Sequence, residues 1–373
     1  MTTRAVVLPF VACTCILTAF AGAAEPAASP VLKRLRVPSL ENPEKRIHLA
    51  SVNGIAVNNE GTRIIADNHP AVDIWDVEKG SIVRAQPAPV GSLGGGARIA
   101  QDASRAHLLN DAKKKVDSYN SSGVSIGSAP LIGFGALGMK RPGYDFSSRD
   151  YIMGWRQGTD GGIYSFDPED GSIKNIVPIK DLWDSLKCNA LVRLSTGDFL
   201  AYYNGGMAGD ARKGLFTIPK DGKLAKTENQ PSKDMKFVND LAVSPDGKYL
   251  SFRGGDRLEV WDRQANKLVL DWRQDYRSPR TGRFLSDGRF AVLSVKCNQK
   301  EIVTSGLTGG YHNKTARLDV LEFPSLRVAG QLDLAEFDLM PPGFGFSPNG
   351  KRLVVSDAKQ IVLYDVDRAF PGK

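Results

Sequence analysis

Residues 240–266 read DLAVSPDGKYLSFRGGDRLEVWDRQAN. An alternating apolar stretch runs into Ser244-Pro245-Asp246-Gly247. A second apolar stretch follows, then a short Gly-rich break, then a third stretch closing on Trp261-Asp262. Alternation with period two is the mark of a strand that shows one face to a core and the other to a neighbour. A Pro-Asp-Gly turn between two such stretches supplies the residue tolerant of positive φ that a tight hairpin needs. The segment therefore reads as three consecutive antiparallel strands.

Two other segments superimpose on it without gaps. They are residues 54–80, GIAVNNEGTRIIADNHPAVDIWDVEKG, and residues 343–369, GFGFSPNGKRLVVSDAKQIVLYDVDRA. Gly61, Gly247 and Gly350 fall at the turn, and Trp75, Trp261 and Tyr364 follow each of them by 14 positions. The aromatic residue has the bulk to fill the gap between packed sheets, and the Asp after it is placed to accept hydrogen bonds from a following turn. Weaker copies fill the intervals. One has Ser104 at its turn and ends on Tyr119-Asn120, one ends on Phe166-Asp167, and two turn at Gly197 and Gly288. The turns fall near 61, 104, 149, 197, 247, 288 and 350, close to the ~40–50 residues of one four-stranded propeller blade.

The last copy has no room for a fourth strand after Tyr364-Asp365, whereas residues 32–37 form a strand-like segment without a repeat of their own. The expected fold is all-β: a seven-bladed β-propeller of four-stranded antiparallel blades, its ring closed by the N-terminal strand joining the last blade. The pattern resembles the WD40/YVTN-like superfamily over essentially the whole chain beyond the N-terminus. The Gly-His dipeptide of strict WD40 blades is missing, and Ser244-Pro245-Asp246-Gly247-Lys248 also resembles the repeats of TolB-like periplasmic propellers. Such a resemblance implies fold more than function, because one scaffold hosts many activities.

Residues 1–24 read as a cleaved secretory signal: Arg4, an uncharged stretch from Ala5 to Ala21, then the small residues Ala21-Gly22-Ala23-Ala24. Residues 25–30 form a linker, and 31–373 form one propeller domain. The expected location is the periplasm or the exterior, with no stable membrane span once the signal is removed. Of four cysteines, Cys13 and Cys15 leave with the signal. Cys188 and Cys297 remain, either as one disulfide or as two buried thiols.

Composition narrows the chemistry. The chain of 373 residues carries 49 Lys plus Arg against 41 Asp plus Glu, a net charge of +8. That surplus is mild and its basic runs are short, which argues against a nucleic-acid partner. Four scattered histidines lack metal-ligand spacing. No G-x-S-x-G elbow, Walker loop or C-x-x-C-H motif occurs, and Asp167-Pro168-Glu169-Asp170-Gly171 lacks the spacing of a calcium loop. No catalytic residue, metal or cofactor is assigned from the sequence.

Length variation is more informative. The connections between second and third strands are long at Trp155–Gly162, Tyr203–Lys213 and Cys297–Thr315, and they would share one end of the ring with Pro130–Gly143 and Asp271–Gly282. Loops on a rigid frame are the usual carriers of recognition, and Tyr and Arg are enriched at binding hot spots. The candidate binding residues are His69, Arg156, Asp160, Tyr203, Asn204 and Asp210. Arg212, Tyr276, Arg277, Arg280, Tyr311 and His312 complete the set. Cys188 and Cys297 would lie at the same end. Two functions remain open. One is a non-catalytic scaffold for a protein or peptide partner. The other, implied by the resemblance, is a propeller enzyme such as a lactonase, or the scaffold subunit of a periplasmic amine dehydrogenase.

Overall fold

The computed structural model describes residues 29–37, 55–68, 71–85, 97–100, 102–110, 115–130, 151–154, 161–166, 172–179, 188–203, 213–235, 238, 240–254, 257–273, 281–297, 314–337, 343–357 and 360–371. Strand β1 (Val31–Arg36) stands apart from the repeats. The first sheet holds β2 (Ile55–Val57), β3 (Arg63–Asn68), β4 (Ala71–Asp76) and β5 (Ser81–Ala85), and the second β6 (Ala97–Ile99), β7 (Arg105–Asn110), β8 (Lys115–Asn120) and β9 (Ser125–Pro130). The third holds β10 (Tyr151–Gly154), β11 (Gly161–Phe166) and β12 (Ile173–Ile179). The fourth holds β13 (Cys188–Arg193), β14 (Phe199–Tyr203), β15 (Gly214–Ile218) and β16 (Ala225–Lys226). The fifth holds β17 (Asp240–Val243), β18 (Tyr249–Gly254), β19 (Arg257–Asp262) and β20 (Lys267–Arg273). The sixth holds β21 (Thr281–Phe284), β22 (Phe290–Cys297), β23 (Lys314–Glu322) and β24 (Arg327–Asp333). The last holds β25 (Gly343–Phe346), β26 (Arg352–Ser356) and β27 (Gln360–Asp365), and a one-turn helix, α1 (Val366–Ala369), follows it.

All neighbouring strands pair antiparallel, and β1 adds to the outer edge of β27, with Leu35 opposite Ile361. Among the described residues the four-stranded sheets number six, against the seven expected from the repeats. The third sheet has three strands among the described residues. The segment 131–150, where the repeat places its first strand, lies outside them.

The repeat motif has a local physical cause. Gly61, Gly247 and Gly350 take φ values of 78°, 73° and 72°, the left-handed region that a Cβ disfavours. Three residues earlier, Asn58, Ser244 and Ser347 tie each hairpin with side-chain oxygens. Asn58 Oδ1 accepts from Arg63 N at 3.0 Å, Ser244 Oγ from Tyr249 N at 2.8 Å and Ser347 Oγ from Arg352 N at 3.0 Å. In the second sheet the glycine place belongs to Ala103 (φ 54°), one residue before the Ser104 expected there.

The Asp of each aromatic–Asp pair serves two partners. Asp76 accepts from Lys79 N and pairs with Arg63 at 2.5 Å, and Asp365 accepts from Arg368 N and pairs with Arg352 at 2.9 Å. Asp262 accepts from both Gln264 N and Ala265 N at 3.0 Å. The Arg63 guanidinium, more than the Lys79 amide, holds the Asp76 carboxyl below the usual range. The Ser244 hydroxyl, more than the Lys248 amide, does the same for Asp246. A carboxyl lowered on folding stabilises above its unfolded pKa and loses that contribution as pH falls through the folded value. Thermal melting is therefore expected to be flat above about pH 5 and to decline below about pH 4. A melting temperature that rises on acidification would contradict this.

The sheets stack face to face on apolar clusters. Ile65, Val72, Ile99 and Ala106 join the first sheet to the second. Val177 and Ile179 meet Leu191 and Phe216 between the third and fourth. Tyr202 and Leu215 meet Leu241 and Phe252 between the fourth and fifth. Val260 meets Phe290 and Val292 between the fifth and sixth, and Leu318 and Val320 meet Phe344 and Val355 between the sixth and last. The last sheet also packs on the first, through Leu363, Val354 and Leu35 against Ile55, Ile64 and Trp75. At that junction Asn349 N donates to Asn59 Oδ1 at 2.9 Å, across 290 positions of sequence.

Candidate functional site

Strand direction sorts the connections into two ends. Where first strands hand over to second strands the chain turns tightly, as at Asn58–Thr62, Leu194–Asp198 and Ser244–Lys248. At the opposite end the second strands finish and the first strands begin, and three of the links there are long: residues 204–213, 227–239 and 298–313. Length is concentrated at one end.

Of the residues expected to bind, the structure describes Tyr203. It is the last residue of β14 rather than the start of a loop, is 1% exposed, and sets its ring edge-on to Phe216 at 5.5 Å. Its size is used to pack the fourth sheet on the third, so it is not an accessible recognition residue. His69, Arg156, Asp160, Asn204, Asp210, Arg212, Tyr276, Arg277, Arg280, Tyr311 and His312 lie outside the described residues. Cys188 opens β13 opposite Tyr203, and Cys297 ends β22 opposite Lys314. Both backbones are thus at the long-loop end, on sheets separated by the fifth, and their thiols lie outside the described set.

The described residues at that end include the link 227–235. Strand β16 covers only two residues of β15, after which the chain leaves the fourth sheet for the fifth. Gln230 supplies what the missing strand would have given. Its Oε1 accepts from Leu215 N at 2.9 Å and its Nε2 donates to Leu215 O at 3.0 Å, so the edge of β15 is satisfied. Asn229 Nδ2 then donates to Arg263 O at 3.1 Å on the fifth sheet.

Further along, the link meets a buried ionic cluster. Alternation on β19 puts Arg257, Glu259 and Trp261 on one face. Glu259 is fully buried and accepts from Ser232 N at 2.9 Å, Trp261 Nε1 at 2.8 Å and the Ser232 hydroxyl. Arg257 Nε lies 2.9 Å from Glu259, and the guanidinium grips Asp271 with two bonds of 2.8 Å. Asp234, at the end of the link, reaches Arg257 at 3.4 Å and Arg273 at 3.0 Å. Burial, with a smaller contribution from the Glu259 charge, pushes the Tyr202 hydroxyl up to about 12. A carboxylate held by this many donors is a fastener rather than an acid or base.

This arrangement repeats in a form that the hydrophobic period concealed. The order along the strand is cation, gap, acid, gap, aromatic: Lys115-Asp117-Tyr119 on β8 and Arg257-Glu259-Trp261 on β19. On β23, Arg317 and the buried Asp319 pair at 2.8 Å, with Gln331 Nε2 donating to Asp319 at 2.9 Å. On β4 the series is Ala71-Asp73-Trp75, and Trp75 Nε1, although buried, has no hydrogen-bond partner among the described residues. Trp261→Phe removes a donor from a buried carboxylate, whereas Trp75→Phe removes none. The first substitution is expected to cost about 1–2 kcal/mol more than the second in urea unfolding; equal costs would contradict the assignment.

Among the described residues no group of three or more His, Cys, Asp or Glu side chains is placed to hold a metal. No described helix is long and apolar enough to cross a membrane. His107 is buried with Nδ1 2.8 Å from Ser118 Oγ, a core contact.

These sheets, turns and aromatic–Asp closures define a β-propeller. No family model matches the chain, and no curated protein matches it in sequence. Solved structures do match. A chain of the mitotic checkpoint complex superimposes with a TM-score of 0.52 at 12% identity, covering 98% of this chain and 99% of that one. The β-propeller domain of Cps50 (Swd1) from Myceliophteria thermophila gives a TM-score of 0.53 at 11% identity, over 90% of this chain and 100% of that domain. At such identities the likeness is one of fold.

Proposed function

We propose that the protein is an exported, non-catalytic scaffold. In this reading it is a closed ring of seven four-stranded blades whose long-loop end holds a protein or peptide partner. The observation that carries it is the unequal distribution of chain length on a rigid frame. Tight turns close one end, while residues 204–213, 227–239 and 298–313 are spent at the other. Recognition loops on a fixed scaffold have this arrangement. The matching chain of the mitotic checkpoint complex belongs to a multicomponent assembly, which favours a macromolecular partner over a small substrate.

The test is comparative capture from native extract. Full-length protein and a variant with residues 298–313 replaced by a short turn are used as bait, after both are shown to melt alike. A partner retained by the first and lost by the second supports the reading. Equal capture by both, or none by either, overturns it. Export has its own check: after expression of the whole chain in a bacterium, the periplasmic protein should begin at Glu25. Protein kept in the cytoplasm with Met1 intact would contradict export.

A further inference from the structure

We propose that β1 is an exchangeable strand, and that the edge of β27 beneath it is a strand-docking site which the β1 of a second copy of this chain can fill. The proposal rests on the closed-ring reading. Wherever a fourth strand is described in the other sheets, it follows its third strand through a short turn; β1 instead reaches its sheet from the far end of the sequence. Residues 38–54 connect it to β2, a length that extends to about 60 Å at most. That tether is long enough to deliver the strand to a neighbouring molecule.

Side-chain anchoring of β1 is slight. Leu35 alone is buried, at 5% exposure; Val31 is half-buried, and Leu32, Lys33, Arg34 and Arg36 are exposed. A register shift makes the ladder irregular between Val31 and Lys33. An outer strand held mostly by backbone bonds opens locally before the core does.

The receiving edge is also held from its other side. β27 is paired along its other side with β26, and Ile361, Val362, Leu363 and Tyr364 are buried. It also carries a feature that selects the incoming strand. Tyr364 donates its hydroxyl to Glu336 Oε1 at 2.9 Å, and the other carboxylate oxygen meets Arg34 at 2.7 Å. Asp365 N donates to Pro30 O at 2.9 Å and marks where the strand starts. The site thus calls for an extended segment with a cation, then an apolar residue beside it, as Arg34-Leu35 provides. Strand addition to a sheet edge draws affinity from the backbone and specificity from such alternate side chains.

The experiment has two arms. In the first, a chain beginning at Pro38 is titrated with a labelled peptide of residues 29–37. Binding is expected, with at least a tenfold loss for the Leu35→Ala peptide and a further loss for Arg34→Glu. If the shortened chain is unfolded alone, recovery of its circular dichroism on adding peptide is the equivalent result. In the second, two differently tagged full-length copies are mixed below their melting temperature. Mixed species should accumulate with time, and should be absent when either copy begins at Pro38 in the presence of excess peptide. Peptide binding without mixed full-length species overturns exchange and leaves the closed ring standing. A shortened chain that melts like the full one and ignores the peptide overturns both. Mixed species that persist without β1 also overturn the proposal, since another surface must then hold the copies together.

Discussion

Glu259→Ala is expected to destabilise the protein by about 3–5 kcal/mol, the range for breaking a buried ion pair from one side. The substitution leaves Arg257 in a site where its side chain is 7% exposed and strands the donors of Ser232 and Trp261. Part of the charge remains answered by Asp271 and Asp234. The double variant Arg257→Met/Glu259→Leu should for that reason recover much of the loss, because removing both charges abolishes the desolvation cost along with the attraction. Urea unfolding measures the size of the effect, and amide exchange at Ser232 locates it: that amide should lose protection in Glu259→Ala before the strands of the first sheet do. A midpoint within error of the natural protein would mean that the cluster fastens nothing.

The second large effect is expected at Gly345. A Cβ there would lie 2.4 Å from the carbonyl oxygen of Ile55 and 3.2 Å from its carbon, both backbone atoms of the first sheet. Neither can swing aside as a side-chain end does, so the last sheet must move off the first. Gly345→Ala is expected to cost about 3 kcal/mol, the upper part of the range for overpacking, and Gly345→Val more. Gly288→Ala is the control. That glycine sits in the left-handed region, at φ 85°, but nothing lies within 4 Å of the added methyl, so only the backbone cost of about 1 kcal/mol applies. If the two alanine variants unfold at the same denaturant concentration, the first and last sheets do not touch as described.

Both sites show what could be read in advance. The hairpins were legible because Gly61, Gly247 and Gly350 hold positive φ for a reason visible in one residue type, and the aromatic–Asp closures because they recur at a fixed distance from those glycines. The pairing of β1 with β27 gives a place to the strand-like segment 32–37, which has no repeat of its own. Cancelled charge was harder to see. Arg257 and Glu259 sit two apart in a strand whose neighbours Leu258 and Val260 already explain the period, so nothing in the sequence pattern distinguishes the pair from a polar face turned to water. Its burial depends on Ser232, Asp234 and Asp271, which reach it from other elements. The truncated β16 escaped for a similar reason: its replacement is a side chain, Gln230, and a side-chain amide imitating a strand leaves no periodic trace. Tyr203 was misplaced by composition, because Tyr beside Asn-Gly-Gly reads as a loop although the register of β14 carries it into the core.

The central claim is that one chain bends round so that its last sheet abuts its first. Asn59 and Asn349 meet at that junction, with a backbone-to-side-chain bond of 2.9 Å between residues 290 positions apart. The most direct measurement is oxidation of the double variant Asn59→Cys/Asn349→Cys at low protein concentration, followed by peptide mapping. A bridge within one chain joining the peptides that contain positions 59 and 349 is expected, formed in most molecules and accompanied by a raised melting temperature. Thiols that stay free under oxidant, or that bridge only between separate chains, would show that the ends of the repeat array do not meet.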